Sequence, residues 1–445
     1  MLEHRVAYLG RSELRETPSS AALVLASDAD PLEERAYLSA RALFPEVTAK
    51  ALRGVSEIVG SRFYVPPSML ARILREADPV ATVSLGAVRF EGFSACCSAY
   101  IRHDIGDDAL ETQRRQNGTT NVDFGPDLRA ALTRVRRDSQ LDISVGATGV
   151  EIVHETAAVV ERKVPLPLRW VRGFGEVQVH LSRMHRVASV SRIAAHRFLR
   201  GQPRSKTDHQ QWITAGPAGM RTSARSSPGA VPLRGGHRLR VLEPLMPFAD
   251  GLEIWLDAAT GSTAWVLRLG PQRITLALNA EPWRGFSGDG GLLSGLAVAD
   301  DAGTAALRAQ LNWQDRLGRA DLMAVTGFSE DDLDRALAAV AAEGLVGFDL
   351  DTGAYFHRVL PFRLDRTERL NPRLKAARAL FEAGAVALTT NGARVTSDAV
   401  VHELRLTPAG LTCTCPWFAK HKAARGPCKH ALAVEMAMEA QRDGG

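Results

Sequence analysis

The chain has 445 residues, 45% hydrophobic and 24% charged, with 55 Lys and Arg against 50 Asp and Glu for a net charge of +5. That length points to about three domains with ample core, and so modest a charge does not by itself imply a nucleic-acid binder. No run of 18 apolar residues occurs and the start, MLEHRVAYLGRSELRE, lacks an apolar leader, so the expectation is a cytoplasmic protein without a membrane segment.

Residues 1–190 predict an α+β region. Pro31 to Phe44 and Ser68 to Ala77 carry helical patterns, and Val83 to Ile101 reads as strand. Pro126 to Asp138 predicts an amphipathic helix with Leu128, Leu132 and Val135 on one face. Leu141, Ile143 and Val145 alternate as a strand, GATG at 146–149 turns the chain, and Val150 with Ile152 continues a hairpin. Ala157 to Val164 is a further apolar run, and Val177 with Val179 alternates again. Cys96 and Cys97 are adjacent, a spacing that seldom closes a disulfide, so no oxidising compartment is implied.

Residues 191–240 form a basic stretch. Arg192 to Arg240 holds ten Lys and Arg and one acidic residue, Asp208, which is about twice the excess of the whole chain. Arg186 to Arg200 predicts a helix, and Gly201 to Gly236, rich in Gly, Pro, Ser and Arg without periodicity, predicts a long linker. In residues 241–300, Ile254 to Leu256, Thr263 to Leu269 and Arg273 to Leu278 predict an antiparallel β unit.

Residues 301–362 follow the order of a winged helix: helices at Thr304 to Leu311, Arg319 to Val325 and Ser329 to Glu343, then strands Leu345 to Leu350 and Ala354 to Val359. Its third helix carries Glu330, Asp331, Asp332, Asp334 and Glu343 against Arg335, which would repel a DNA groove and suits a protein partner better. Within residues 363–445, Asn371 to Gly384 predicts a helix, Arg394 to Leu406 a strand, TPAG a turn, Leu411 to Cys415 its partner and Lys429 to Gln441 a closing helix. The fold class is therefore α+β and multidomain, with an antiparallel β-rich N-terminal body, a winged-helix-like segment and a C-terminal ββα unit.

The explicit chemistry lies in LTCTCPWFAKHKAARGPCKHALAV, where Cys413, Cys415, Cys428 and His430 stand as C-x-C-x12-C-x-H. Two pairs of soft or borderline ligands are what one tetrahedral Zn²⁺ requires, and a full Cys3His set leaves no position for an activated water, so the zinc should be structural. Between the pairs, Trp417, Lys420, Lys422, Arg425 and Lys429 form a basic, aromatic patch of the kind that contacts phosphates and bases, or a protein partner. GFSGDGG at 285–291 lacks the strand-to-helix elbow of a serine nucleophile, and His103-Asp104 has no second histidine to make a metal site. No catalytic constellation is legible, so a non-enzymatic role is expected.

The hairpin HELRLTPAGLTC, CTCPWF and PCKHALAV together resemble the SWIM zinc finger over about residues 393–441. TNVDFGPDLRAAL, VERKVPLPLRWVRGFGEVQV and LPFRLDRTERLNPRLKAARALFEAGAV, with the finger, resemble a bacterial family of SWIM zinc-finger proteins associated with MoxR-type AAA+ ATPases and von Willebrand factor A domain proteins. The resemblance implies an adaptor with such proteins as partners. The alternative is a nucleic-acid (DNA) binding protein using the basic stretch and the finger loop.

Overall fold

The computed structural model describes residues 6–7, 13–17, 20–25, 36–63, 79–121, 124, 129–130, 132–146, 162–163, 166–207, 209–216, 219–362, 371–408, 410–422 and 424–443. At its centre is an eight-stranded sheet whose order is His185–Ser191, Gly251–Asp257, Ser262–Leu269, Gln272–Leu278, Ala99–Gly106, Ala87–Phe93, Val80–Val83 and Gly118–Asn121. Every neighbouring pair is antiparallel. The body expected in residues 1–190 and the β unit expected in 241–300 thus share one sheet. The central strands are buried almost throughout, and because they bury charged residues such as Arg89, Glu91, Arg102 and Asp104 beside their apolar ones, they do not read as simple alternation.

Leu168–Arg183 lies on this sheet as a helix, where Val177 and Val179 had suggested a strand. Trp170, Val171, Phe174, Val177 and Leu181 are all buried at three- and four-residue steps, the period that governs the segment. A second sheet runs Glu13–Thr17, Ser20–Leu25, Leu141–Gly146, Ala36–Ala42 and Leu110–Arg115, with one parallel pair between Ser20–Leu25 and Leu141–Gly146. The helix read across Pro31 to Phe44 is here a strand over Ala36–Ala42, because Leu38, Ala40 and Ala42 bury at period two. The helix Pro45–Gly60 follows, opened by a proline at its first position. It joins the layers: Val47, Ala51, Val55 and Ile58 face one core, Ala49 and Leu52 the other.

Two further expectations change. Arg186 to Arg200 divides into the strand His185–Ser191 and the helix Arg192–Arg200, since Ser191 caps the helix by accepting a bond from the Ala194 amide. The expected linker holds a three-stranded antiparallel sheet, Gly219–Ser223, Gln211–Gly216 and Val231–Leu233, in that order. Its strands bury only Ile213, Val231 and Leu233, too few apolar positions to make a periodic signal. The readings over Ser68 to Ala77, Val150 with Ile152 and most of Ala157 to Val164 lie outside the described residues, as do Leu128 and most of GATG; Leu132 and Val135 are buried.

Residues 301–362 supply helices Asp301–Ala309, Arg319–Thr326 and Glu330–Ala342 and the hairpin Val346–Asp349 with Ala354–His357. Ser329 and Asp332 form the capping box that opens the third helix. This segment shares the main core, with Leu333, Leu337, Val340, Phe348 and Tyr355 packed in the same cluster as Trp170 and Phe174. Arg358, with its guanidinium fully buried, pairs with the equally buried Glu91 of the central sheet. Among the described residues no helix is long and apolar enough to cross a membrane.

Candidate metal centre

The C-terminal unit is a four-stranded antiparallel sheet, Val386–Thr389, Gly392–Ser397, Val400–Thr407 and Gly410–Cys413, closed by the helix Lys429–Asp443. The single strand expected over Arg394 to Leu406 is a hairpin. Asp398 and Ala399 turn the chain at φ +53° and +62° without the glycine that usually marks such a turn. One face of the closing helix packs Ala431 and Val434 on Ala393, Val395 and Leu404. Its other face packs Leu432, Ala433 and Met436 against Leu374, Ala377 and Leu293, which seats the unit on the rest of the protein.

Each ligand comes from a chain end that its element fixes. Cys413 ends the strand Gly410–Cys413, and Cys415 caps the short helix Pro416–His421, its Sγ accepting the Phe418 amide at 3.4 Å. Cys428 precedes the closing helix and accepts the Ala431 amide at 3.4 Å, while His430 sits in that helix's first turn. All four ligand atoms lie within 4.8 Å of one another, and His430 Nδ1 is 3.7 Å from Cys413 Sγ. A tetrahedron with bonds of ~2.3 Å has edges of about 3.8 Å, so the donor set fits zinc with only a small contraction. The four residues are buried and no cysteine is in a disulfide. The bond donated by Cys413 holds the Cys428 thiol well below its ordinary value, and donating that bond, together with burial, pushes Cys413 up. Cys413, Cys415, Cys428 and His430 are placed to hold one zinc ion.

The patch between the cysteine pairs is only partly free. Lys420 and Lys422 are exposed. Trp417 is half-buried against the finger core, with the Arg373 guanidinium 4.8 Å from its ring centroid. Lys429 donates to Ser397 Oγ at 2.9 Å and stands 3.5 Å from Asp398. Arg425 donates to the Gly288 carbonyl at 3.2 Å. Three of the five proposed contact residues thus hold the finger together or onto the body.

Two features of that seat were not legible in the sequence. Arg373 donates to the carbonyls of Arg425 at 2.6 Å, Pro427 at 3.0 Å and Asp289 at 3.2 Å, bridging the finger loop to the GFSGDGG loop. The glycines of GFSGDGG serve this approach. Gly426, at φ +69°, lies so close to Gly290 that a Cβ would overlap the Gly290 carbonyl, so glycine is required for space as well as for backbone angle. Behind the loop, His180 is buried between Asp257 at 2.9 Å and Asp289 at 3.0 Å, and those two carboxylates raise its pKa to about 9 against the effect of burial. Only the glycine density of 285–291 hinted at a close backbone approach.

His103 and Asp104 are structural. His103 Nε2 contacts Gln272 Oε1 at 2.9 Å and burial holds its pKa down at about 4, while Asp104 pairs with Arg102, Arg273 and Arg89.

Residues 407–438 match the SWIM zinc finger family, a span that contains all four ligands. No curated protein matches the chain. Among solved structures it is similar to the proliferating cellular nuclear antigen of Entamoeba histolytica, at 10% identity over 55% of this chain and 98% of that one. The TM-score is 0.33, at which the likeness supports no conclusion about fold or function.

Proposed function

We propose that the chain is a non-enzymatic zinc-binding adaptor, accessory to an AAA+ ATPase system, with a MoxR-type ATPase or a von Willebrand factor A domain protein as its partner. The observation that carries the reading is the closed, seated finger: its four ligands complete the metal's coordination, and Trp417, Arg425 and Lys429 are spent on internal contacts. Such a zinc builds a rigid surface and does no chemistry. The acidic, winged-helix-like segment supports a protein partner, since Glu330, Asp331 and Asp332 crowd the first turn of its third helix. The partner class itself rests on the sequence resemblance.

A second reading, nucleic-acid binding, is favoured by one surface. Arg192, His196, Arg197 and Arg200 line a groove of about 490 Å³ beside the exposed Ile193. Two measurements on the purified protein separate the readings. Co-elution with a MoxR-type ATPase on size exclusion, together with duplex DNA affinity too weak to measure at 0.15 M salt, is the adaptor result. Tight DNA binding that falls steeply with salt, with a slope reduced by about 0.9 for each of Lys420→Ala, Lys422→Ala and Arg197→Ala that removes a phosphate contact, would replace it with the second reading.

A further inference from the structure

Cys96 is not one of the zinc-cluster residues; it lies in the turn between the strands Ala87–Phe93 and Ala99–Gly106 of the central sheet and is partly exposed. Its sulfur accepts from the Phe63 amide at 3.0 Å and from Arg238 Nη2 at 3.2 Å, and it lies within hydrogen-bond reach of Ser98 Oγ at 3.0 Å and Ser94 Oγ at 3.5 Å. The turn is held rigidly. Its neighbour Cys97 sits at φ +55° with its side chain fully buried, and Gly285 packs directly on the Cys97 backbone.

Arg238 makes an independent demand. It is 4% exposed, its Nε has no hydrogen-bond partner, and among the described residues no carboxylate pairs with it. Its remaining bonds go to Ser98 Oγ at 2.6 Å and to Cys96 Sγ. A buried guanidinium without an anion is destabilising, and the sulfur is the group placed to supply the negative charge. The surroundings are cationic as well, with Lys206 Nζ 4.5 Å from the centroid of the Phe63 ring.

We propose that Cys96 is a modification site: a standing thiolate, kept as the counter-ion of Arg238, that small electrophiles of the hydroperoxide class oxidise. In that step the sulfur lone pair attacks the terminal peroxide oxygen and the O–O bond breaks. The thiolate is oxidised to a sulfenic acid with departure of hydroxide or alkoxide, which takes the proton of that S–OH to leave a sulfenate and water or an alcohol. A sulfenate keeps a negative charge beside Arg238, so oxidation leaves the ion pair intact. Alkylation abolishes it. The donors outweigh burial and lower the Cys96 pKa to about 6, whereas burial pushes Cys97 up to about 12, so the two adjacent thiols should differ sharply in reactivity.

The test is alkylation of the native zinc-loaded protein by iodoacetamide between pH 5 and 9, with the Cys96 and Cys97 positions resolved by mass spectrometry. The expected rate profile for Cys96 has its midpoint near pH 6, and Arg238→Met moves it up by more than one pH unit. Hydrogen peroxide at pH 7 followed by dimedone should tag Cys96 and not Cys97. If Arg238→Met does not fold, judged by circular dichroism and zinc content, Ser98→Ala should still raise the midpoint measurably. A midpoint near ~8.5, the ordinary thiol value, or labelling of Cys96 only after unfolding in urea, overturns the proposal.

Discussion

Cys413→Ser releases about one equivalent of zinc and makes residues 386–443 sensitive to protease while the central sheet stays folded. The physical basis is the small size of what the metal supports. The finger's own core amounts to a few side chains such as Ala393, Val395, Leu404 and Val434, grouped with the cysteines themselves. Structural zinc in finger peptides supplies on the order of 10–16 kcal/mol of apparent binding free energy, more than such a core can replace. The body has a separate and far larger core around Trp170, Phe174 and Trp265, and none of these touches the cluster. Zinc content measured by atomic absorption and limited proteolysis read by mass spectrometry give the result. Retention of a full equivalent of zinc by the variant, or unfolding of the whole chain, would contradict it.

The second large effect lies at the junction of residues 301–362 with the sheet. Arg358→Met should destabilise the protein by ~3–5 kcal/mol, because Glu91 would be left in a fully buried site without its cationic partner. Tyr100 donates to the other Glu91 oxygen at 2.7 Å, and the guanidinium also lies 4.8 Å from the centroid of the Phe174 ring, so the pair is tied to the core on both sides. Denaturant unfolding followed by tryptophan fluorescence checks this. The double variant Glu91→Gln with Arg358→Met should recover a substantial part of the loss, since it removes both charges. A single-variant cost below about 1 kcal/mol would mean that the pair is not buried as described.

What could be read without the structure follows from how local each signal is. The four zinc ligands fall within eighteen residues and their chemistry is in their spacing, so both the site and its metal were legible. Strands such as Ser262–Leu269 were legible for the same reason, as short apolar runs between turns. The helix Leu168–Arg183 was missed because a charged and glycine-interrupted stretch hides its buried face, and the three-stranded sheet near Ile213 because each strand buries so little. Long-range contacts were not legible at all. Nothing in the sequence couples Arg373 to Asp289, or Arg238 to Cys96 across 142 residues, yet the first seats the finger and the second sets the charge of a thiol. The internal bonds of Arg425 to Gly288 and of Lys429 to Ser397 were hidden for the same reason: a basic residue shows its charge in the sequence but not its partner.

A zinc held by three cysteines and a histidine is fully coordinated by protein and has no position left for a reacting water. X-ray absorption at the zinc edge of the purified protein should show three sulfur neighbours near 2.3 Å and one nitrogen near 2.0 Å. An oxygen neighbour from water, or a count of fewer than three sulfurs, would contradict it and return the metal to the list of catalytic candidates.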